Sequence, residues 1–215
     1  MTAASALALA SGHPSSGAIA AEIEDLADRL RRLTVRILTR GDRFDGFGAG
    51  VFWTHGGEPL IVTNAHVIPP RRGDRAHIEF ASGAVVDGRV VARDRERDMA
   101  LLALDATPNG KQPSAVLGDS RGLRPGEIVA ALGHPFGIEG ALSLGIVHTP
   151  TDSDRWLLAD IRLAPGNSGG PLATLDGTVI GINAMIVRGL GVAVPANAVR
   201  IFADQVLGTP SNGET

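Results

Sequence analysis

The stretch Gly166-Asn167-Ser168-Gly169-Gly170-Pro171 decides between folds. A serine between small residues has an unobstructed hydroxyl, and flanking glycines admit backbone angles closed to other residues. Such a turn can aim successive N–H groups at one point, which is what a developing oxyanion needs. The same residues would also make an ordinary Gly-rich hairpin turn. They satisfy G-x-S-x-G, the nucleophile elbow of strand-and-helix hydrolases, where the chain order is Ser, then Asp or Glu, then His. Here no histidine follows Ser168, and the last is His148. A nucleophilic Ser168 therefore needs a base from upstream, and the elbow reading fails.

Six histidines lie upstream: His13, His55, His66, His77, His134 and His148. His66 stands out because the apolar run Ile61-Val62-Thr63 delivers it to a strand end beside Ala65. His13 falls in an unstructured leader, His55 and His77 in turn or strand-surface contexts, and His148 ends a strand. His134 sits in a Gly-His-Pro turn, where a structural role and a cleft role are both open. The carboxylate that orients the base should begin a buried strand, so that it is dry. Asp98 precedes Met99-Ala100-Leu101-Leu102-Ala103-Leu104, whereas Asp94 and Glu96 belong to the charged run Arg93–Arg97.

Around these residues the pattern is mostly β. Short β-branched or Leu-rich runs are expected over 48–53, 59–63, 76–80, 84–92, 99–104, 127–132, 141–148, 156–161, 178–187 and 191–194. Their starts recur roughly every 8–15 residues, which points to a sandwich or barrel rather than βαβ units. The segment 107–114 (TPNGKQPS) reads as the crossing between two β halves. Ile19, Ile23, Leu26, Leu30 and Leu33 recur at helical spacing, so 19–33 is expected to be an amphipathic helix after a disordered leader over 1–18. Residues 34–39 continue that helix or start a strand. A closing helix is expected over 196–207, capped by Asn197, with Val199, Phe202, Val206 and Leu207 on one face and a frayed tail from Gly208.

Composition excludes several classes. The chain has 215 residues, is 44% hydrophobic and 20% charged, and can bury a core as one domain or two small halves. No cysteine is present, which excludes disulfides, thiolate metal sites and a cysteine nucleophile. The net charge of −3 without a basic block argues against a nucleic-acid surface. No apolar run is long enough for a membrane span. The short apolar run 3–10 lacks a basic residue before it, so a cytoplasmic chain is expected.

Taken together, TNAHVI (63–68), D-x-A-L-L (98–102) and GNSGGPL (166–172) resemble the chymotrypsin-fold serine proteases, most of all the HtrA/Deg branch. Supporting stretches are Ala131-Leu132-Gly133-His134-Pro135-Phe136-Gly137, Ser143–Val147, Val179–Asn183 and Gly191–Pro195. The resemblance runs from about 46 to 203. It departs from the family at His134, where Ser is usual, in a short stretch between His148 and Trp156, and in the absence of a PDZ domain within this sequence. It implies an all-β fold of two six-stranded antiparallel barrels with the site between them, and a serine endopeptidase without metal or cofactor. By the same resemblance His66, Asp98 and Ser168 form the triad. Gly166, Asn167 and Ser168 form the oxyanion loop, and the primary specificity pocket involves Arg162, Leu163, Ala184, Met185, Ile186 and Gly191. Strand alternation favours Leu163 inward and Arg162 outward, for small aliphatic specificity; an inward Arg162 would select acidic side chains. Asn167 stands where zymogens of this type carry an aspartate, so activation by N-terminal cleavage is not expected. The expected partners are peptide or unfolded-protein substrates, with monomer and trimer both open. A protease-fold binding module and an esterase are the rival functions.

Overall fold

The computed structural model describes residues 16–40, 45–68, 74–108, 112–149 and 155–210. Most of the expected leader, the middle of the expected crossing (109–111) and the end of the tail (211–215) lie outside the described residues. The chain runs α1 (Ser16–Leu33), β1 (Thr34–Arg40), β2 (Asp45–His55), β3 (Glu58–Thr63), β4 (Arg75–Phe80), β5 (Val85–Asp94) and β6 (Met99–Leu104). It continues with β7 (Ile128–Gly133), β8 (Ala141–Thr149), β9 (Leu157–Asp160), β10 (Pro171–Thr174), β11 (Val179–Val187), β12 (Leu190–Pro195) and α2 (Ala196–Leu207). The strands close into two antiparallel barrels, ordered β1-β2-β3-β6-β5-β4 and β10-β11-β12-β9-β8-β7.

Strand alternation explains why several strands read as unbroken apolar runs. In β6, Ala100 and Leu102 point into the first barrel, while Met99 and Leu101 point outward into the seam between the barrels. β2 divides the same way, with Phe52 inside and Val51 and Trp53 in the seam. In the second barrel, Val129 and Ala131 of β7 face the interior, and Ala130 and Leu132 face the seam. Side chains on opposite faces of one strand thus fill two different cores. A strand buried on both faces needs apolar residues at every position.

Both helices close that seam. Leu26, Leu30 and Leu33 of α1 join the seam cluster with Val51, Leu132 and Val199. The expected periodicity is present, but α1 begins at Ser16, and Ile19 near its start remains exposed. The helix ends where Thr34 turns extended and its hydroxyl donates to the Leu30 carbonyl at 2.7 Å. Thr34 to Arg40 form a strand, which settles the ambiguity of that segment. Leu30→Ala would leave a void at a site shared by both barrels. We expect it to lower unfolding free energy by about 2–5 kcal/mol, measured by denaturant titration.

The C-terminal segment differs from expectation. Asn197 is not the cap of α2, because the flanking residue is Pro195. Its side-chain amide instead donates to Asp119 at 2.7 Å. The bonds from Arg121, together with this one, hold the Asp119 carboxyl well below the usual carboxylate range. Val199 and Phe202 are buried, but Val206 and Leu207 are exposed. Nor is the tail frayed from Gly208: its carbonyl lies 3.0 Å from Nε2 of His55, a residue buried rather than on the strand surface. The segment just after the expected crossing is tacked to both halves, with Ala115 N–H on the Phe52 carbonyl at 2.9 Å and Gly118 N–H on the Val179 carbonyl at 2.8 Å.

Candidate active site

Register places the first two site residues together. β3 and β6 are antiparallel neighbours with Thr63 opposite Ala100, so the chain leaving β3 passes the chain entering β6. His66 lies in the 3-10 turn Ala65–Val67 just after β3, and Asp98 immediately precedes β6. His66 Nδ1 is 2.7 Å from Asp98 Oδ2, and the His66 backbone N–H donates to Asp98 Oδ1 at 3.0 Å. A carboxylate facing Nδ1 requires a proton there, so Nε2 is left as an acceptor. Asp98 is mostly buried and the His66 ring half exposed, which leaves Nε2 accessible.

Asp98 has a left-handed backbone, φ 55°. Non-glycine residues seldom adopt this conformation, and it persists where the surroundings impose it. The imposing contacts are the two bonds from His66 and a third from the Asn64 side-chain amide to the Asp98 carbonyl at 3.0 Å. Asn64 is fully buried.

Ser168 comes from the other barrel, in the loop between β9 and β10. The two barrels are registered at this residue: Ala49 N–H in β2 donates to the Ser168 carbonyl at 2.8 Å. Gly169 follows at φ +87°, and a Cβ there would lie 1.9 Å from the Ala49 carbonyl oxygen. The second glycine of the motif is thus required by conformation and by the closeness of the first barrel.

The Ser168 hydroxyl donates to the Ala184 carbonyl at 3.0 Å. No hydrogen bond joins it to His66 among the described residues. Contacts of this kind are often loose without substrate and tighten when it binds.

The expected oxyanion loop is oriented by its neighbours. Phe136 N–H donates to the Pro165 carbonyl at 3.0 Å, and His134 N–H to the Gly166 carbonyl at 3.0 Å. Because a trans peptide points its C=O and N–H in opposite directions, the Gly166 N–H faces away from Phe136. Among the described residues the Gly166 and Ser168 N–H groups have no backbone acceptor. The Asn167 N–H does not share their orientation, since it donates to Ala164 at 3.0 Å. Of the three expected oxyanion residues, two therefore offer a free donor.

A cleft of about 270 Å³ opens beside Ser168, lined by Leu163, Ala164, Pro165, Ala184, Met185 and Ile186. Of the six expected pocket residues, Leu163, Ala184, Met185 and Ile186 line it. Arg162 is exposed and outside the lining, and Gly191 lies behind it, where a Cβ would meet Ile161 at 2.6 Å and Leu163 at 3.1 Å. No cluster of three or more His, Asp or Glu side chains among the described residues is placed to hold a metal ion.

Asn167 and His134 stood out in the sequence, but Asn64 and Asn183, the other buried polar residues around the loop, did not. Asn64 Oδ1, Asn167 Oδ1, Asn183 Oδ1 and His134 Nε2 are buried with no hydrogen-bond partner among the described residues. Each lies on a segment touching His66, Asp98 or the serine loop. Asn64 had a signal, two residues before His66 in the same motif. Asn183 had none, for its amide reaches the Pro171 carbonyl at 2.8 Å only through the pairing of β10 with β11.

The trypsin-like peptidase domain family model matches residues 48–182. Serine protease HTRA1 of Xenopus tropicalis is 36% identical over 72% of this chain and 35% of its own length. HTRA1A of Danio rerio is 40% identical over 66% of this chain and 31% of its own, and HTRA4 of Mus musculus 34% identical over 86% and 40%. The chain thus spans between three tenths and two fifths of these relatives' length. With two six-stranded barrels and a matching family model, the chain belongs to the trypsin-like peptidase domain family, and its relatives are HtrA serine proteases.

Proposed function

We propose that the chain is a serine endopeptidase acting through Ser168, His66 and Asp98. The observation that carries this reading is the two-point contact between Asp98 and His66, which leaves Nε2 a free acceptor. Catalysis begins as a peptide carbonyl enters and the Ser168 hydroxyl turns from Ala184 toward Nε2. Oγ attacks the carbonyl carbon as His66 takes its proton. Asp98 fixes the Nδ1–H tautomer and stabilises the imidazolium, the role given to this residue in the general triad scheme. The Gly166 and Ser168 N–H groups receive the oxyanion, and losing one such donor costs about 10²–10³ in rate. His66 then protonates the leaving amine, and water, activated by the same ring, releases the acyl group. Asn167 is neutral and buried, so it offers no carboxylate to pair with a cut N-terminus.

The cleft beside Ser168 is apolar, with Ile186 where a wider pocket would have a smaller residue. Size differences of a methylene there are worth roughly 1–3 kcal/mol, enough for a preference. We expect a peptide-library profile led by Val, Ala or Leu at the cleavage position, favoured over Asp and Glu by at least about tenfold. A profile dominated by acidic residues and lost in Arg162→Ala would reverse this assignment. Parallel assays with activated esters test the esterase alternative. The rival binding-module reading is favoured by one observation, the Ser168–Ala184 bond, and a serine-directed probe separates the two.

A further inference from the structure

The loop carrying His134 is joined to the oxyanion segment by main-chain bonds, its base is held by the pairing of Gly133 with Ala141, its turn by the Gly137 and Ile138 N–H groups on the His134 and Pro135 carbonyls, and its far end is tied to the ring by one side-chain bond. His134 and Phe136 hold the Gly166 and Pro165 carbonyls, each at 3.0 Å. In that side-chain bond the Gly140 N–H donates to His134 Nδ1 at 3.3 Å, buried from solvent. Between these points Phe136 is left-handed (φ 53°, ψ 25°) and 71% exposed, so its conformation is imposed by the loop's bonds and not by packing of its ring.

We propose that the neutral His134 imidazole is a positioning residue for the oxyanion donors: as the acceptor at Nδ1 it ties the Gly140 end of the loop to the ring, and the loop so held keeps the Gly166 peptide turned so that its N–H faces the substrate. The proposal rests on the reading of Ser168 as nucleophile. An imidazolium carries a proton on both nitrogens, so protonation sets a ring N–H against the Gly140 N–H and removes that bond.

The charged groups facing the ring are Glu139 on its own loop, Arg36 on β1 and Glu79 on β4. Arg31 of α1 lies beside Gly140, where a Cβ would meet its Nε at 2.6 Å. Arg36 pairs with Glu79 through Nε at 2.6 Å, so the two largely cancel. Burial disfavours the charged ring and outweighs Glu139 and the Val35 main chain, which favour it, so the His134 pKa lies below the ordinary 6.5. The Gly140–His134 bond is accordingly complete above that value and is lost as pH falls beneath it. A cleft of about 230 Å³ is lined by Arg36, Glu79, Phe80, His134 and Glu139, among others.

The test is the pH dependence of kcat/KM on the full chain. Two neutral imidazoles, His66 and His134, are then required, so the acid limb of the logarithmic profile approaches a slope of about 2. His134→Asn supplies a non-titrating acceptor near the Nδ1 position, and is expected to rescue the neutral-pH rate while reducing the limb to a slope of about 1. His134→Phe keeps the ring volume without the acceptor and should lower kcat about tenfold, with little change in KM. Independently of turnover, the Gly140 and Gly166 amide resonances of ¹⁵N-labelled Ser168→Ala protein should follow the ionisation of His134. Superimposable acid limbs for wild type and His134→Asn, or a Gly166 amide indifferent to that ionisation, would overturn the proposal. An inactive chain whose two amides still titrate with His134 would overturn the nucleophile reading and support the positioning role.

Discussion

Ser168→Ala is expected to lower kcat by about 10⁶-fold, the scale seen when a nucleophile acting jointly with its base is removed. Little else should change. The side chain is small and partly buried, and its hydrogen bond goes to one carbonyl, that of Ala184. Losing a single such bond costs about 0.5–1.5 kcal/mol of stability, so the variant should fold and bind peptide with KM nearly unaltered. Active-site-titrated kinetics together with thermal unfolding check both halves of this expectation. A variant retaining more than a few per cent of the rate would place the nucleophile elsewhere.

Asp98→Asn is expected to cost about 10⁴-fold in kcat. The reason is local and geometric. One carboxylate accepts from both the ring Nδ1–H and the backbone N–H of His66, at 2.7 and 3.0 Å. An amide offers one acceptor and one donor. With its oxygen toward the backbone, its NH₂ faces Nδ1 and drives the ring into the tautomer that has lost its Nε2 acceptor. With its oxygen toward the ring, the backbone N–H of His66 meets a donor. Asparagine tolerates the left-handed φ of 55° at this position about as well as aspartate, so the effect should be catalytic and not a failure to fold. Circular dichroism and unfolding midpoints close to wild type, with the loss confined to kcat, are the expected signature.

Legibility differed among segments for physical reasons. Strands buried on both faces were plain, and β6 occupies the expected 99–104, because its continuous apolar run is required by two cores at once. β10 was missed. It spans only Pro171–Thr174, too short for any alternation, and its place between β7 and β11 comes from long-range pairing. β1 was ambiguous since it follows α1 with no Gly or Pro between, the boundary being drawn by the Thr34 hydroxyl on the Leu30 carbonyl. Asn197 had the chemistry of a cap but met Asp119, 78 residues away, a partner no local pattern encodes.

The site divides in the same way. His66, Asp98 and Ser168 were legible because each stands where a strand or a glycine loop ends, in residue types that perform acyl transfer. The apolar cleft was legible in its alternation, with Leu163 lining it and Arg162 exposed. What the residues alone could not disclose is the main-chain wiring, such as the bonds from His134 and Phe136 that orient Gly166. Such bonds join any residue types, so composition carries no trace of them.

The most direct test of the central claim is covalent labelling of the full chain with a fluorophosphonate probe, followed by mass spectrometric location of the adduct. Reaction requires a serine hydroxyl, a base to take its proton and donors for the phosphoryl oxygen, all acting together. The account predicts a single adduct on Ser168, absent in Ser168→Ala and strongly reduced in His66→Ala. A folded wild-type chain that takes no label at Ser168, with or without unfolded-protein substrate present, would contradict it.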